Sequence, residues 1–214
     1  MHRYFIKTPW WVKKLFSSYV WSIPSTRRIV YLTFDDGPHP TITPWVLAQL
    51  KKHKAKATFF CIGKNVVQHP DVYRFLIDEG HAVGNHTYQH LNGWKTATQK
   101  YLADVSAASE VVTTGLFRPP YGKITKAQAK GIARAMNAGT AKVIMWDVLS
   151  ADFDTGISAR RCAYNVLKNV SPGSIVVFHD SEKAFVNLET ALPLVLNTLG
   201  KKGYRFEKIV MEEV

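Results

Sequence analysis

The chain has 214 residues, of which 46% are hydrophobic and 21% are charged. This composition is too apolar for a disordered protein, and the length suits one domain with one sizeable core. Lysine and arginine outnumber aspartate and glutamate by 28 to 16, for a formal net charge of +12, which favours anionic partners such as nucleic acid, anionic lipid or acidic cell-wall polymer without choosing among them.

Residues 1–27 form an aromatic and basic arm ahead of the first apolar strand. Val12, Leu15, Phe16 and Tyr19 follow helical spacing, with tryptophans nearby and two lysines between them. Such a helix either packs against the bottom or open side of the domain or lies on a membrane surface. We favour packing, and peripheral membrane contact through the arm is the alternative.

The arm lacks the pattern of an export signal. Lys13 and Lys14 interrupt its apolar stretch, and no small-residue cleavage site follows them. Elsewhere the longest apolar runs are far short of the roughly 20 residues that a membrane-spanning helix needs. We therefore expect neither a signal peptide nor a transmembrane helix, and a cytoplasmic or membrane-associated location.

Beyond the arm, short apolar runs alternate with longer segments of helical character. The predicted strands are 29–34, 57–62, 81–85, 115–118, 142–148, 174–179 and 204–209. The predicted helices are 43–53, 71–79, 96–113, 125–137, 158–169 and 188–201, the first of them starting at Thr43-Pro44. Seven strands alternating with six helices predict one α/β domain with a parallel sheet, either a barrel or a doubly wound sheet.

Chemistry in such folds gathers at the carboxyl ends of the strands. Polar, titratable or metal-binding side chains follow nearly every predicted strand. They are Asp35-Asp36, Gly63-Lys64-Asn65, His86 with His90, residues 118–122, Asp147 with Asp152, and His179-Asp180. The sequence therefore predicts an active site along this edge of the sheet.

Two of these segments predict a metal site. Asp35 and Asp36 are adjacent and point different ways, so one can ligate a metal while the other faces substrate or water. His86 and His90 are four residues apart, which on a helical turn brings both imidazoles to one face. Two histidines and one aspartate leave positions open on a divalent ion, which suits hydrolysis. Taken singly, the first segment also fits a turn and the second fits two surface histidines.

Two further segments supply candidates for orientation and proton transfer. Arg118 precedes a rigid Pro-Pro-Tyr-Gly turn and presents a guanidinium that can orient a carboxylate. His179 ends a hydrophobic strand, and an unperturbed pKa of about 6.5 suits a general acid at neutral pH. A nearby carboxylate would hold the ring and raise its pKa.

Taken in order, these segments resemble the motifs of the polysaccharide deacetylase family, also called the NodB-homology domain or carbohydrate esterase family four. The family pattern is T-F-D-D-G-P, H-[ST]-x-x-H, R-x-P-Y-G, a segment with tryptophan and aspartate, and a strand ending in L-x-H. The matching residues are 33–38, 86–90, 118–122, 146–153 and 177–179. The resemblance covers residues 28–210 as the catalytic domain and implies a distorted (β/α)7-type barrel.

The resemblance implies a metal-dependent hydrolase that removes N-acetyl or O-acetyl groups from a glycan, such as peptidoglycan or an N-acetylglucosamine oligomer. Asp36, His86 and His90 are the implied metal ligands. The implied ion is zinc or another divalent metal such as cobalt.

The resemblance also implies roles around the metal. Asp35 would be the general base toward the attacking water, and Arg118 would orient Asp35. His179 would protonate the leaving amine, with Asp152 behind it as the orienting partner. The backbone N–H of Tyr121 would stabilise the developing oxyanion.

The last two motifs depart from the family pattern. Phe153 stands where the family usually has tryptophan, and Val177 stands where it usually has leucine. Both positions are implied walls of the groove for the acetyl methyl group, so we expect an acetyl-sized pocket of altered shape. Asp147 lies close to Asp152 in the sequence and competes with it as the partner of His179.

Two other functions fit parts of the pattern. One is a related amide hydrolase or deformylase that acts on a small molecule or a sugar-lipid. The other is a non-catalytic glycan-binding module, against which the full set of catalytic candidates argues. The sequence has no helix-turn-helix, zinc-finger or RNA-binding signature, so we expect no nucleic-acid partner.

Overall fold

The computed structural model describes residues 4–214, so residues 1–3 of the arm lie outside the described part. The α-helices are α1 Trp10–Leu15, α2 Ile42–Lys52, α3 Gly63–Gln68, α4 Pro70–Asp78, α5 Thr98–Ser109, α6 Lys126–Ala135, α7 Ala159–Asn169 and α8 Glu182–Lys201. The strands are β1 Ile29–Asp35, β2 Ala57–Cys61, β3 Ala82–Asn85, β4 Leu116–Phe117, β5 Lys142–Val143, β6 Val148–Leu149, β7 Ile175–His179 and β8 Arg205–Phe206. Short 3-10 helices cover Gly93–Lys95, Pro120–Gly122 and Met211–Glu213.

The strands form a curled parallel sheet with β1 at its centre. The order is β5-β4-β3-β2-β1-β7-β6, and β8 pairs with the start of β1. The sheet forms a half-barrel in a single α/β domain, which confirms the predicted fold class. All carboxyl ends of the strands lie along one edge, as parallel pairing requires.

The two faces of β1 have different roles, one packing in the core and the other bearing Thr33 and Asp35. Every residue of this strand is buried, as expected for a central parallel strand covered on both sides. Phe34 stacks on Phe59 and Phe178 at centroid distances of 5.0 and 6.0 Å, within the core beneath the outer helices. Because side chains alternate along a strand, Thr33 and Asp35 share the opposite face.

Several predicted boundaries differ from the structure; α8, for example, begins at Glu182 and not at residue 188, and two other differences have identifiable reasons. The predicted strand 142–148 is split into β5 and β6, because the backbone between them bonds to the arm instead of continuing one strand. Helix α2 begins before the predicted Thr43-Pro44 start. The Thr43 hydroxyl accepts from the N–H of His39 and donates to Asp180, so it links two segments rather than capping the helix.

The arm packs on the open side of the half-barrel. Single β-bridges join Lys7 to Val148, Val20 to Ile144, and Ser22 to Ser174, so the arm crosses the gap between the sheet ends. The helical spacing predicted for the arm holds only within α1. Phe16 and Tyr19 lie beyond this helix, because the chain leaves it to bond with the backbone near β5. No helix in residues 4–214 is long and apolar enough to cross a bilayer.

Candidate active site

A cavity of about 510 Å³ opens at the carboxyl ends of the strands. It is lined by eight of the predicted site residues, namely Asp35, Asp36, His86, His90, Tyr121, Phe153, Val177 and His179. The other two, Arg118 and Asp152, are fully buried behind it. The structure therefore brings all ten predicted residues together.

Asp36, His86 and His90 form a cluster of three possible metal ligands. The Oδ1 atom of Asp36 lies 3.2 Å from Nε2 of His90 and 3.8 Å from Nε2 of His86. The predicted helical turn between the two histidines is wrong. They lie on a bent loop after β3, in which Thr87 and His90 have φ of 64° and 57°, and this bend brings the imidazole centroids to 5.1 Å.

Hydrogen bonding orients the ring of His86, one of the three possible ligands. Its Nδ1 lies 2.8 Å from the carbonyl oxygen of Arg118. Because a carbonyl only accepts, Nδ1 carries the proton and the lone pair is left on Nε2, beside Asp36. Burial lowers the pKa of His86 to about 4, so the ring is neutral at neutral pH.

The donor set fits one divalent ion. A tetrahedral zinc ion with bonds of about 2.1 Å separates its ligand atoms by about 3.4 Å, and the ligand atoms of this cluster all lie within 4.8 Å of one another. Burial alone would raise the pKa of Asp36. The hydrogen bond to His90 and the positive charge of His179 outweigh burial and hold that pKa well below its ordinary value, so this carboxylate is ionised.

Arg118 binds Asp35, which lines the same cavity as the cluster. The guanidinium donates to Oδ1 of Asp35 at 2.6 Å and to the hydroxyl of Thr33 at 2.7 Å. Two more of its N–H groups donate to the carbonyls of Ile144 and Met145. Four donors are thus satisfied in a buried site, which compensates for burying the charge and holds Asp35 in one position.

Asp152, rather than Asp147, lies beside His179. One oxygen of Asp152 lies 2.8 Å from Nδ1 of His179, and the other accepts from the His179 backbone N–H at 2.7 Å. Burial lowers the pKa of His179, but the charge and hydrogen bond of Asp152 dominate and raise it to about 10. Asp147 instead binds Lys7, Lys13 and Ser174.

The geometry thus combines a cluster of possible metal ligands, a fixed carboxylate and a protonated histidine in one open cavity. A family model described as "Polysaccharide deacetylase" matches residues 22–139, which is more than half of the chain. The chain belongs to the polysaccharide deacetylase family. Deacetylases of this family are metal-dependent, and the Asp36 cluster is a possible metal site in this member.

Relatives across the chain agree with this assignment. A peptidoglycan-N-acetylglucosamine deacetylase of Bacillus cereus is 36% identical over 203 residues, covering 92% of this chain and 71% of its own length. A chitooligosaccharide deacetylase of Azorhizobium caulinodans is 34% identical, covering 74% of this chain and 76% of its own. The crystal structure of a peptidoglycan N-acetylglucosamine deacetylase in complex with 4-naphthalen-1-yl-N-oxidanyl-benzamide is 34% identical, with a TM-score of 0.83, and the match covers 94% and 95% of the two chains.

The apolar wall of this deacetylase cavity contains more than the two predicted residues. Phe153 packs edge-on against the His179 ring at 5.2 Å, and Val177 lies on β7, the strand that ends at His179. Trp146 and Leu149 also line the wall. Both lie in the predicted fourth motif segment, so the apolar residues of that segment were the available signal.

Tyr4 is a cavity residue that no motif could have revealed. It belongs to the arm, packs edge-on against Phe153 at 5.5 Å and donates its hydroxyl to Asp154. Lys123 and Lys183 also line the cavity, and neither stood out in the sequence. They bring positive charge to the cavity that contains the Asp36, His86 and His90 cluster.

Proposed function

We propose that the chain removes acetyl groups from N-acetylglucosamine residues of peptidoglycan. The observation that carries this proposal is the arrangement around the Asp36, His86 and His90 cluster. Asp35, bound by Arg118, and His179, bound by Asp152, line the same cavity as this cluster. Hydrolysis of an amide needs a base for the water and an acid for the nitrogen, and this arrangement supplies both.

Zinc is the proposed ion, with cobalt as a substitute, because two imidazoles and one carboxylate suit it. Bound there, a divalent ion supplies Lewis acidity that polarises the acetyl carbonyl and lowers the pKa of a coordinated water. Asp35 takes the proton from the attacking water. Arg118 keeps Asp35 oriented, because it occupies one carboxylate oxygen and leaves the other for proton transfer.

His179 protonates the departing amine nitrogen. A pKa of about 10 keeps its ring protonated at neutral pH, so the acid is ready before the C–N bond breaks. The backbone N–H of Tyr121 is the proposed donor to the developing oxyanion. Tyr121 has φ of 59°, a left-handed conformation that only a closely determined turn imposes on a non-glycine residue.

Phe153 and Val177 are the proposed walls for the acetyl methyl group. Leu149 and Tyr4 extend this apolar surface, so the arm contributes to the site although residues 28–210 supply the catalytic groups. The same catalytic groups can also hydrolyse an O-acetyl ester, which has the same acetyl carbonyl and a better leaving group.

Peptidoglycan is preferred over a neutral N-acetylglucosamine oligomer because of Lys123 and Lys183. Peptidoglycan carries carboxylates on its peptide groups, and two lysines at the cavity complement that charge. The names of the Bacillus cereus relative and of the matched crystal structure support the same substrate.

Acetate release from peptidoglycan and from N-acetylglucosamine oligomers tests the proposal. We expect metal-stripped protein to be inactive and zinc or cobalt to restore activity, with peptidoglycan the better substrate. Metal binding without acetate release from either glycan would contradict the proposal. A panel of small amides, formylated sugars and unmodified glycans would then separate an amide hydrolase from a glycan-binding module.

A further inference from the structure

The positive charge of the chain resides in two segments. Residues 1–34 and 111–146 contain six lysines or arginines each and no aspartate or glutamate, whereas the rest of the chain contains 16 of each sign. These two segments therefore carry the whole formal charge of +12. They also lie side by side, because Val20 donates to the carbonyl of Val143 and accepts from the N–H of Met145.

The same region exposes a contiguous group of large apolar side chains. We call Phe5, Trp10, Trp11, Leu15 and Phe16 the arm patch. Trp10 is 74% exposed, Leu15 69%, Phe5 58% and Trp11 51%. Phe5 and Trp11 contact each other edge-on at 6.4 Å. Helix α1 has no fully buried residue, and Val12 is its one apolar side chain that packs against the core, so packing within residues 4–214 does not explain Trp10, Trp11 and Leu15.

Lysines border the arm patch without carboxylate partners. Lys14 lies within α1 and is exposed. Lys126 and Lys130 of α6 line a shallow groove with Leu15 and Phe16. Among the described residues none of these three lysines forms an ion pair, whereas Lys7 and Lys13 are bound to Asp147 and hold the arm on the domain.

We propose that the arm patch docks the protein on an anionic lipid bilayer. Exposed apolar patches of this kind mark interaction sites. Tryptophan prefers the membrane–water interface, leucine and phenylalanine insert among acyl chains, and lysines bind anionic headgroups. A soluble polyanion would satisfy the lysines but would leave the arm patch in water, so the bilayer is the better match. This proposal is independent of the deacetylase reaction.

Sedimentation of the full chain with lipid vesicles tests the proposal. We expect binding to vesicles that contain phosphatidylglycerol, weaker binding at high salt, and almost none to pure phosphatidylcholine. The double variant W10S/W11S should bind at least about tenfold more weakly. Tyr164→Ser is the matched control, since this exposed aromatic lies on α7 outside the arm patch, and it should bind like the parent protein.

A second variant tests the proposal if W10S/W11S fails to fold, which circular dichroism would reveal. Lys14→Gln combined with Lys130→Gln should weaken binding about fivefold for each lysine. Lipids with acyl chains brominated near the headgroup should quench the tryptophan fluorescence of the parent protein. They should not quench the remaining tryptophans of the W10S/W11S variant. Equal binding by all variants, no binding to anionic vesicles, or binding to polyphosphate with no quenching by brominated lipid would overturn the proposal.

Discussion

Asp152 binds His179 twice, through the ring and through the backbone. One carboxylate oxygen lies 2.8 Å from Nδ1 and the other accepts from the backbone N–H at 2.7 Å. The carboxylate therefore fixes both the ring and the strand end that bears it. Nδ1 is engaged behind the ring, so Nε2 is the atom left for the cavity.

Asp152→Asn should lower the pKa of His179 and move the alkaline limb of the pH–rate profile to lower pH. The pKa of His179 in the folded protein is raised to about 10. His179 is therefore fully protonated at lower pH and loses its proton as the pH rises through that value. An amide lacks the charge that raises it, and activity at pH 8 should fall about 100-fold. The matched control is Asp147→Asn, which should leave the limb in place. An unchanged limb in Asp152→Asn would show that another group is the acid.

Asp147→Asn should weaken the attachment of the arm to the domain and should leave the catalytic reaction unaffected. Burial raises the pKa of Asp147, but hydrogen bonds from Lys13, Lys7 and Ser174 outweigh it and lower the pKa. The stabilisation is present above the unfolded pKa of about 3.9 and is lost as pH falls through the lower folded value. We expect the free energy of unfolding at pH 7 to fall by about 2 kcal/mol, with faster proteolysis near α1. Equal stability across pH in both proteins would contradict this role.

Asp180→Ala should weaken metal binding although Asp180 is not a proposed ligand. Its carboxylate accepts from the N–H of Gly37 at 3.0 Å and from the hydroxyl of Thr43, and so holds the turn that carries Asp36. A Cβ on Gly37 would lie 2.2 Å from Oδ2 of Asp180, so the approach is close. Zinc affinity, measured by chelator competition, should fall about tenfold or more. Thr43→Val removes one of the two contacts and should have a smaller effect; an unaltered affinity in Asp180→Ala would refute the positioning role.

The double variant with Lys123→Gln and Lys183→Gln should change KM for a charged substrate and leave KM for a neutral substrate unchanged. Without the two lysines, KM for peptidoglycan should rise about fivefold, because carboxylates of the polymer lose their partners. KM for N-acetylglucosamine oligomers should stay as it was, which makes the oligomer the internal control. A rise for both substrates would mean that the lysines shape the cavity for any glycan.

The sequence was sufficient to predict the fold class and the position of the site, because both depend on local patterns. Apolar runs that end in polar residues predict parallel strands, and parallel strands bring Asp35, His86 and His179 to one edge. The sequence was not sufficient to decide whether Asp152 or Asp147 is the partner of His179. Both follow the same apolar run, and only the tertiary placement of the arm lysines removes Asp147 from the site.

Other features depend on contacts between distant segments. Tyr4 reaches the cavity because the arm crosses the sheet gap, which no spacing in the first 27 residues indicates. His86 and His90 meet across a loop with positive φ values, although their spacing is equally typical of a helix. In both cases the local pattern is compatible with several structures, and packing selects one.

The most direct test of the account is acetate release from peptidoglycan by Asp35→Asn and by the parent protein, both loaded with zinc to equal content. The amide keeps the shape of the side chain but cannot take a proton from water, so we expect release to fall at least about 100-fold with zinc still bound. Undiminished release by the zinc-loaded Asp35→Asn protein would contradict the assignment of Asp35 as the base and the mechanism built around it.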